Sequence, residues 1–249
     1  GQNKTGFRNF NYATQSKRSP GSTIKPLVVY TPAVEAGWSL NKDLDNHTMQ
    51  YGDYKVDNYA GIKTSPEVPM YQALAESLNL PAVATVKELG IDKAFEAGER
   101  FGLDMGSVDR VLGVALGGGV ETNPLQMAQA YATFANEGLM PDAHFITRIE
   151  NASGQVIASH KNSQKRVMEK SVADKMTSMM LGTFTNGTGF SSSPDNFVMA
   201  GKTGTTEAAF NPEYTSDQWV IGYTPDLVIS HWLGFPTTDE THYLAGSTS

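Results

Sequence analysis

A serine followed three positions later by a lysine, Ser22-Thr23-Ile24-Lys25, supplies the parts of an activated nucleophile. On a helix such residues share a face, so the hydroxyl and the amine can meet. An alcohol attacks poorly until a neighbour removes its proton, and a lysine whose pKa is lowered by burial or nearby cations can take it. The pattern also arises by chance in a chain of 249 residues, and Ser39-Leu40-Asn41-Lys42 is a second instance. Two more short signals, Ser77-Leu78-Asn79 and Lys202-Thr203-Gly204-Thr205, add a hydroxyl, an amide and a second cation. These have twins at Ser39-Leu40-Asn41 and Lys4-Thr5-Gly6. A nucleophile must be held rigidly, and Ser22 opens an apolar run whereas Ser39 stands beside Asn41, Lys42 and Asp43. Lys202 follows the apolar Phe197-Val198-Met199-Ala200, but Lys4 lies among polar residues near a terminus. Ser22, Ser77 and Lys202 are the coherent set.

These residues need rigid elements. Residues Ser22 to Trp38 read as a buried helix, with Pro26 in an irregular first turn and a bend near Pro32. Residues 39–65 lack periodicity and read mostly as loop. A helix is expected over Pro66 to Glu76, then a turn at Ser77-Leu78-Asn79, with Leu80 kept from the helical region by Pro81. Further helices are expected over Pro81 to Leu89, Asp92 to Phe101, from Asn123-Pro124 to Gly138, and over Val172 to Thr185. The last carries Met176, Met179 and Met180 as core residues. Leu116-Gly117-Gly118-Gly119 lacks the G-x-x-x-x-G-K-[ST] pattern of a phosphate cradle and reads as a loop between helices. A small hairpin is expected within residues 145–158. Segments Phe197 to Thr206, Gln218 to Tyr223 and Leu227 to Leu233 read as three strands, and the short Thr224-Pro225-Asp226 link makes neighbours antiparallel.

The bulk numbers narrow the class. A 39% hydrophobic, 10% aromatic chain of this length is ordinary globular protein, one large domain or two small ones. A net charge of −7 without a basic stripe argues against nucleic acid as a partner. The absence of cysteine excludes disulfides and thiolate metal sites, and His47, His144, His160, His231 and His242 have no ligand-like spacing. There is no run of 18 apolar residues and no signal-peptide pattern, so any membrane anchor is expected in segments outside this chain.

The ordered triplet resembles that of penicillin-binding proteins and class A β-lactamases. With Lys17-Arg18-Ser19-Pro20-Gly21-Ser22 ahead of the nucleophile and Gln218 to Pro225 after the lysine motif, the chain resembles the transpeptidase domain of a class A, bifunctional penicillin-binding protein. Gly187-Thr188-Gly189 and Leu116 to Ala135 also look like that family, so the likeness spans nearly the whole chain. The resemblance implies an α+β fold of the penicillin-binding protein and serine β-lactamase kind, an antiparallel sheet flanked by helices beside a helical lobe. It implies one transpeptidase domain over residues 1–249, truncated at both ends. The sheet would lack its first two strands and last helix unless another chain supplies them, and the glycosyltransferase domain and anchor of class A proteins are expected outside this chain.

By the same resemblance, Ser22 would attack the D-Ala-D-Ala carbonyl of a peptidoglycan stem peptide while Lys25 takes its proton. The backbone amides of Ser22 and Thr205 would form the oxyanion hole. Ser77 and Asn79 would relay a proton and orient Lys25. Lys202, Thr203 and Thr205 would hold the terminal carboxylate, and Gly204 would leave room for substrate along the strand. An amine acceptor from a second stem would complete the cross-link, and β-lactams would acylate Ser22 as covalent inhibitors. No cofactor or metal is implied, and the location would be the extracytoplasmic face of a bacterial membrane. The competing readings are a serine β-lactamase, for which Glu121 is the one weak deacylating candidate and reads better as a helix-start carboxylate; a D,D-carboxypeptidase; and a β-lactam-sensing or scaffolding domain.

Overall fold

The apolar run after Ser22 is buried on every side, with Ile24, Leu27, Val28, Val29, Tyr30, Ala33 and Val34 all between 0% and 3% exposed. A helix apolar all round belongs in a core. The structure is a computed structural model and describes residues 6, 9–51, 54–59 and 65–246. After a short helix α1 (Tyr12–Gln15), the chain forms a 3₁₀ turn (Gly21–Ile24), a π-helical stretch (Pro26–Tyr30) and α2 (Thr31–Glu35). The irregularity expected near Pro32 lies upstream of it. Pro26 and Pro32 lack amide donors, and the chain widens between them so that the Thr31 amide and hydroxyl both donate to the Pro26 carbonyl.

Two ribbons occupy the stretch read as loop. Strand β1 (Asp43–Asp45) pairs with β4 (Glu67–Pro69), and β2 (Met49–Tyr51) with β3 (Tyr54–Val56). Three-residue strands are too short to show alternation in sequence. The helix expected from Pro66 is correspondingly shorter: α3 is Met70–Ala75, because Pro69 pushes Val68 into the extended region. Helix α4 (Asn79–Leu89) starts two residues before Pro81, so Leu80 is helical and the extended residue is Leu78. Pro81 falls in the first turn, where amide donors have no helical acceptor to lose.

Helix α5 (Ile91–Arg100) completes the helical lobe with a 3₁₀ turn (Leu112–Leu116) and α6 (Pro124–Ala135), capped by Asn123 accepting from the Gln126 amide. The hairpin forms as β6 (Arg148–Glu150) and β7 (Val156–Ser159), inside a second ribbon of β5 (Leu139–Pro141) and β8 (Gln164–Arg166). Helix α7 (Lys170–Thr185) buries Met176, Met179 and Met180. The main sheet has the order β11-β10-β9 among the described residues, from β9 (Ala200–Ala208), β10 (Asn211–Tyr223) and β11 (Val228–Gly234), all antiparallel. Helix α7 packs on β9, and α6 packs on β10 and β11. Among the described residues strand β9 is therefore an edge whose outward backbone groups have no sheet partner, and the 3₁₀ turn of Ser22 lies against it. The result is an α+β architecture, an antiparallel sheet flanked by helices beside a helical lobe.

Candidate active site

Ser22 sits in the 3₁₀ turn, where the Lys25 amide donates to the Ser22 carbonyl. Residues three apart eclipse in such a turn, so the two side chains rise from the same face. The turn is fixed from several directions. Thr23 Oγ1 donates to the Pro20 carbonyl at 2.6 Å, Tyr131 OH to the Thr23 carbonyl at 2.7 Å, and Trp219 Nε1 to the Ser19 carbonyl at 2.9 Å. Just upstream, Arg18 Nε and Trp232 Nε1 converge on Asp217 Oδ1 at 2.6 and 2.8 Å, and Arg18 pairs with Thr122 through both backbone groups. Gly21 has φ +51°, and a side chain there would meet the Thr205 carbonyl at 2.7 Å. That contact lays the Thr205 backbone beside the nucleophile turn.

Lys25 is wholly buried. Its Nζ donates to the Ser77 carbonyl at 2.7 Å, Asn79 Oδ1 at 2.7 Å and the Leu78 carbonyl at 3.1 Å, with Ser77 Oγ more distant at 3.4 Å. Among the described residues no hydrogen bond joins it to Ser22 Oγ. The expected meeting of the pair is displaced because the amine's three donors go to the Ser77-Leu78-Asn79 turn. Burial, and then the charge of Lys202, hold the Lys25 pKa well below the usual lysine range. A neutral amine needs only two acceptors, which frees a lone pair for a proton from Ser22 or Ser77.

The turn that holds Lys25 is strained. Ser77 has φ +57°, in the left-handed region. Its amide donates to Leu74 and the Leu78 amide to Ala73, the Schellman ending of α3 in which glycine is usual. With this geometry the Ser77 and Leu78 carbonyls both face Lys25.

Lys202 is also wholly buried, and burial lowers its pKa to about 7. Its Nζ donates to the Thr203 carbonyl at 3.0 Å. Thr203 Oγ1 shares a short hydrogen bond with Thr188 Oγ1, a contact that gives the Gly187-Thr188-Gly189 signal a structural partner. At Gly204 a side chain would meet the Pro20 carbonyl and Thr23 Cγ2 at 2.8 Å, so the glycine clears space for the nucleophile turn.

The structure thus brings Lys25, Ser77 and Asn79 into one hydrogen-bonded group, sets Ser22 on the turn above, and faces them with Lys202, Gly204 and Thr205. The rival serine stands apart. Ser39 is exposed and caps the Asn41 amide, while Lys42 pairs with Glu88 and covers the Trp38 ring. Lys4 and Thr5 lie outside the described residues. Glu121 is not a helix-start carboxylate, since α6 begins at Pro124 with no acid in its first turn and Glu121 pairs with exposed Lys17. Sequence reasoning missed Asp217, Asn58, which accepts from the Asn79 amide, and Asn46, which accepts from Asn58, because their signals are spatial rather than periodic.

The penicillin binding protein transpeptidase domain family matches residues 1–246. Penicillin-binding protein 2a of Streptococcus pneumoniae strain R6 is 89% identical over 246 residues, covering 99% of this chain and 34% of that protein. Penicillin-binding protein 1F of Bacillus subtilis is 38% identical over 239 residues, 93% of this chain and 32% of that one. The chain spans about a third of the length of these relatives. The structure of PonA1 from Mycobacterium tuberculosis in complex with penicillin V superposes with a TM-score of 0.81 at 26% identity, covering 91% of this chain and 62% of that one. Penicillin-binding protein 1A from Haemophilus influenzae gives 0.81 at 24% identity over 91% of this chain and 39% of its own, a likeness of fold. The chain belongs to the penicillin-binding protein transpeptidase family, in its class A branch.

Proposed function

We infer that this chain is a D,D-transpeptidase domain that cross-links peptidoglycan stem peptides through an acyl-enzyme on Ser22. The observation that carries the reading is the wholly buried Lys25, held by the Ser77-Leu78-Asn79 turn one 3₁₀ turn from Ser22, with its pKa lowered by burial and by Lys202. Lys25, directly or through Ser77, takes the Ser22 proton as Oγ attacks the penultimate D-alanine carbonyl. The backbone amides of Ser22 and Thr205 stabilise the oxyanion, where charge develops only in the transition state. The C–N bond breaks, the leaving D-alanine amine takes the proton, and Lys202 with Thr203 and Thr205 holds the terminal carboxylate throughout. An amine of a second stem peptide then attacks the ester, forms the new amide bond and returns the proton to Ser22 Oγ.

β-Lactams enter the same cycle by ring opening and stop at the ester; the similar PonA1 is known in complex with penicillin V. The place of work is the extracytoplasmic face of a bacterial membrane, reached through segments outside this chain. Among the described residues no helix is long and apolar enough to cross a membrane. Incubating the chain with a stem-peptide or thioester donor and a D-amino acid acceptor tests the reading. Acceptor-dependent exchange product is expected. Hydrolysis indifferent to acceptor would make it a carboxypeptidase, and rapid turnover of a β-lactam would make it a β-lactamase.

A further inference from the structure

Helix α4 begins in an unusual way. Its cap residue, Leu78, has no side-chain acceptor, and its first residue, Asn79, spends its amide oxygen on Lys25. Helix N-termini leave amide donors that need partners. Here the oxygen comes from Asn58, 21 residues upstream and 6% exposed: its Oδ1 accepts from the Asn79 amide at 2.9 Å and the Leu80 amide at 3.2 Å.

Asn58 is itself oriented. Its Nδ2 donates to Asn46 Oδ1 at 2.9 Å, and Asn46 Nδ2 donates to the Ser65 carbonyl at 2.7 Å. The next backbone group along the same loop, the Asp57 carbonyl, accepts from Asn79 Nδ2 at 3.1 Å. A carbonyl only accepts, so it obliges Asn79 to turn its nitrogen outward and its oxygen to Lys25. Rotating the Asn58 amide would set its NH₂ against two N–H groups and its oxygen against that of Asn46. Donation therefore runs one way, from Lys25 through Asn79, Asn58 and Asn46 to the Ser65 carbonyl.

We propose that Asn58 is a positioning residue for acyl transfer, fixing the place and orientation of Asn79 so that its oxygen holds Lys25. This rests on the acyl-transfer reading of the site. Because Leu78 offers no side-chain acceptor and Asn79 Oδ1 serves Lys25, the turn does not cap its own helix, and Asn58 supplies the cap from outside.

The test is single-turnover acylation of the chain by a fluorescent penicillin, separating the acylation rate constant from the binding constant and from the amplitude that counts active sites. Asn58→Ala is expected to lower the rate constant about tenfold to a hundredfold, as a small misplacement at a reacting centre does, with full amplitude. Asn58→Asp keeps the acceptor for both amides at a helix N-terminus, where a carboxylate is favoured, but loses the bond to Asn46, so its rate constant is expected to fall between those of wild type and Asn58→Ala. If Asn58→Ala does not fold, Asn46→Ala carries the test, since it leaves Asn58 but removes the acceptor that orients it. A several-fold slower rate constant with full amplitude is expected there. An unchanged rate constant in the folded alanine variant, or loss of amplitude alone, overturns the proposal. A wild-type chain that takes up no label overturns the acyl-transfer reading instead.

Discussion

A lysine without access to water must find acceptors or give up its charge, and this chain buries two within electrostatic reach of each other. Their depressed pKa values carry a stability signature. With Lys202 near 7 folded and 10.5 unfolded, the unfolded chain binds an extra proton between those values, so stability rises with pH across that window. Below about 7 the cost of burying the charge is present in full. Lys202→Met is therefore expected to be more stable than wild type near pH 6, with an advantage that shrinks toward pH 10.5, while losing acylation; thermal unfolding across that range checks it. An advantage that grows with pH would contradict it. At Ser77 the backbone takes a left-handed conformation that glycine adopts freely. Ser77→Gly is expected to fold with stability equal to or up to about 1 kcal/mol above wild type, yet to acylate far more slowly for want of the hydroxyl. Retained acylation would remove Ser77 from the proton path.

The element that delivers Ser22 is the segment from Arg18 to Ile24, clamped to the sheet rather than stabilised by its own short turn. Asp217, 2% exposed, accepts from both Arg18 and Trp232. Asp217→Ala leaves the largely buried Arg18 without its partner and is expected to cost about 3 kcal/mol in urea unfolding, with a matching fall in labelled active sites. A change under about 1 kcal/mol would mean the clamp is incidental. The sequence marks this element unevenly. The apolar run after Ser22 announces a buried helix, because its burial repeats along the chain. Asp217 announces nothing, since one acid in a strand acquires meaning only when Arg18 is folded onto it. The ribbons around residues 43–45 and 67–69 hide for another reason: three residues cannot display a period of two.

At the scale of the molecule, the helical lobe brings Lys25, Ser77 and Asn79, and the edge strand β9 brings Lys202 and Thr205 across from them. Their order in sequence, with distinctive flanks, makes this set readable before folding. The amides that hold it in place are not readable that way. Asn46 and Asn58 lie in a polar stretch without periodicity, and only the folded chain shows that 21 residues after Asn58 a helix begins without a cap of its own. Gly204 illustrates the same gap: its identity is legible, but not that a side chain there would meet Pro20 and Thr23 from the far end of the chain.

Mass spectrometry of the chain after exposure to benzylpenicillin tests the central claim most directly, with Ser22→Ala and Ser39→Ala alongside. One penicilloyl group per chain is expected, on the peptide containing Ser22, long-lived, absent from Ser22→Ala and present in Ser39→Ala. An adduct on another residue, one that survives Ser22→Ala, or no adduct on the folded wild-type chain would contradict the account.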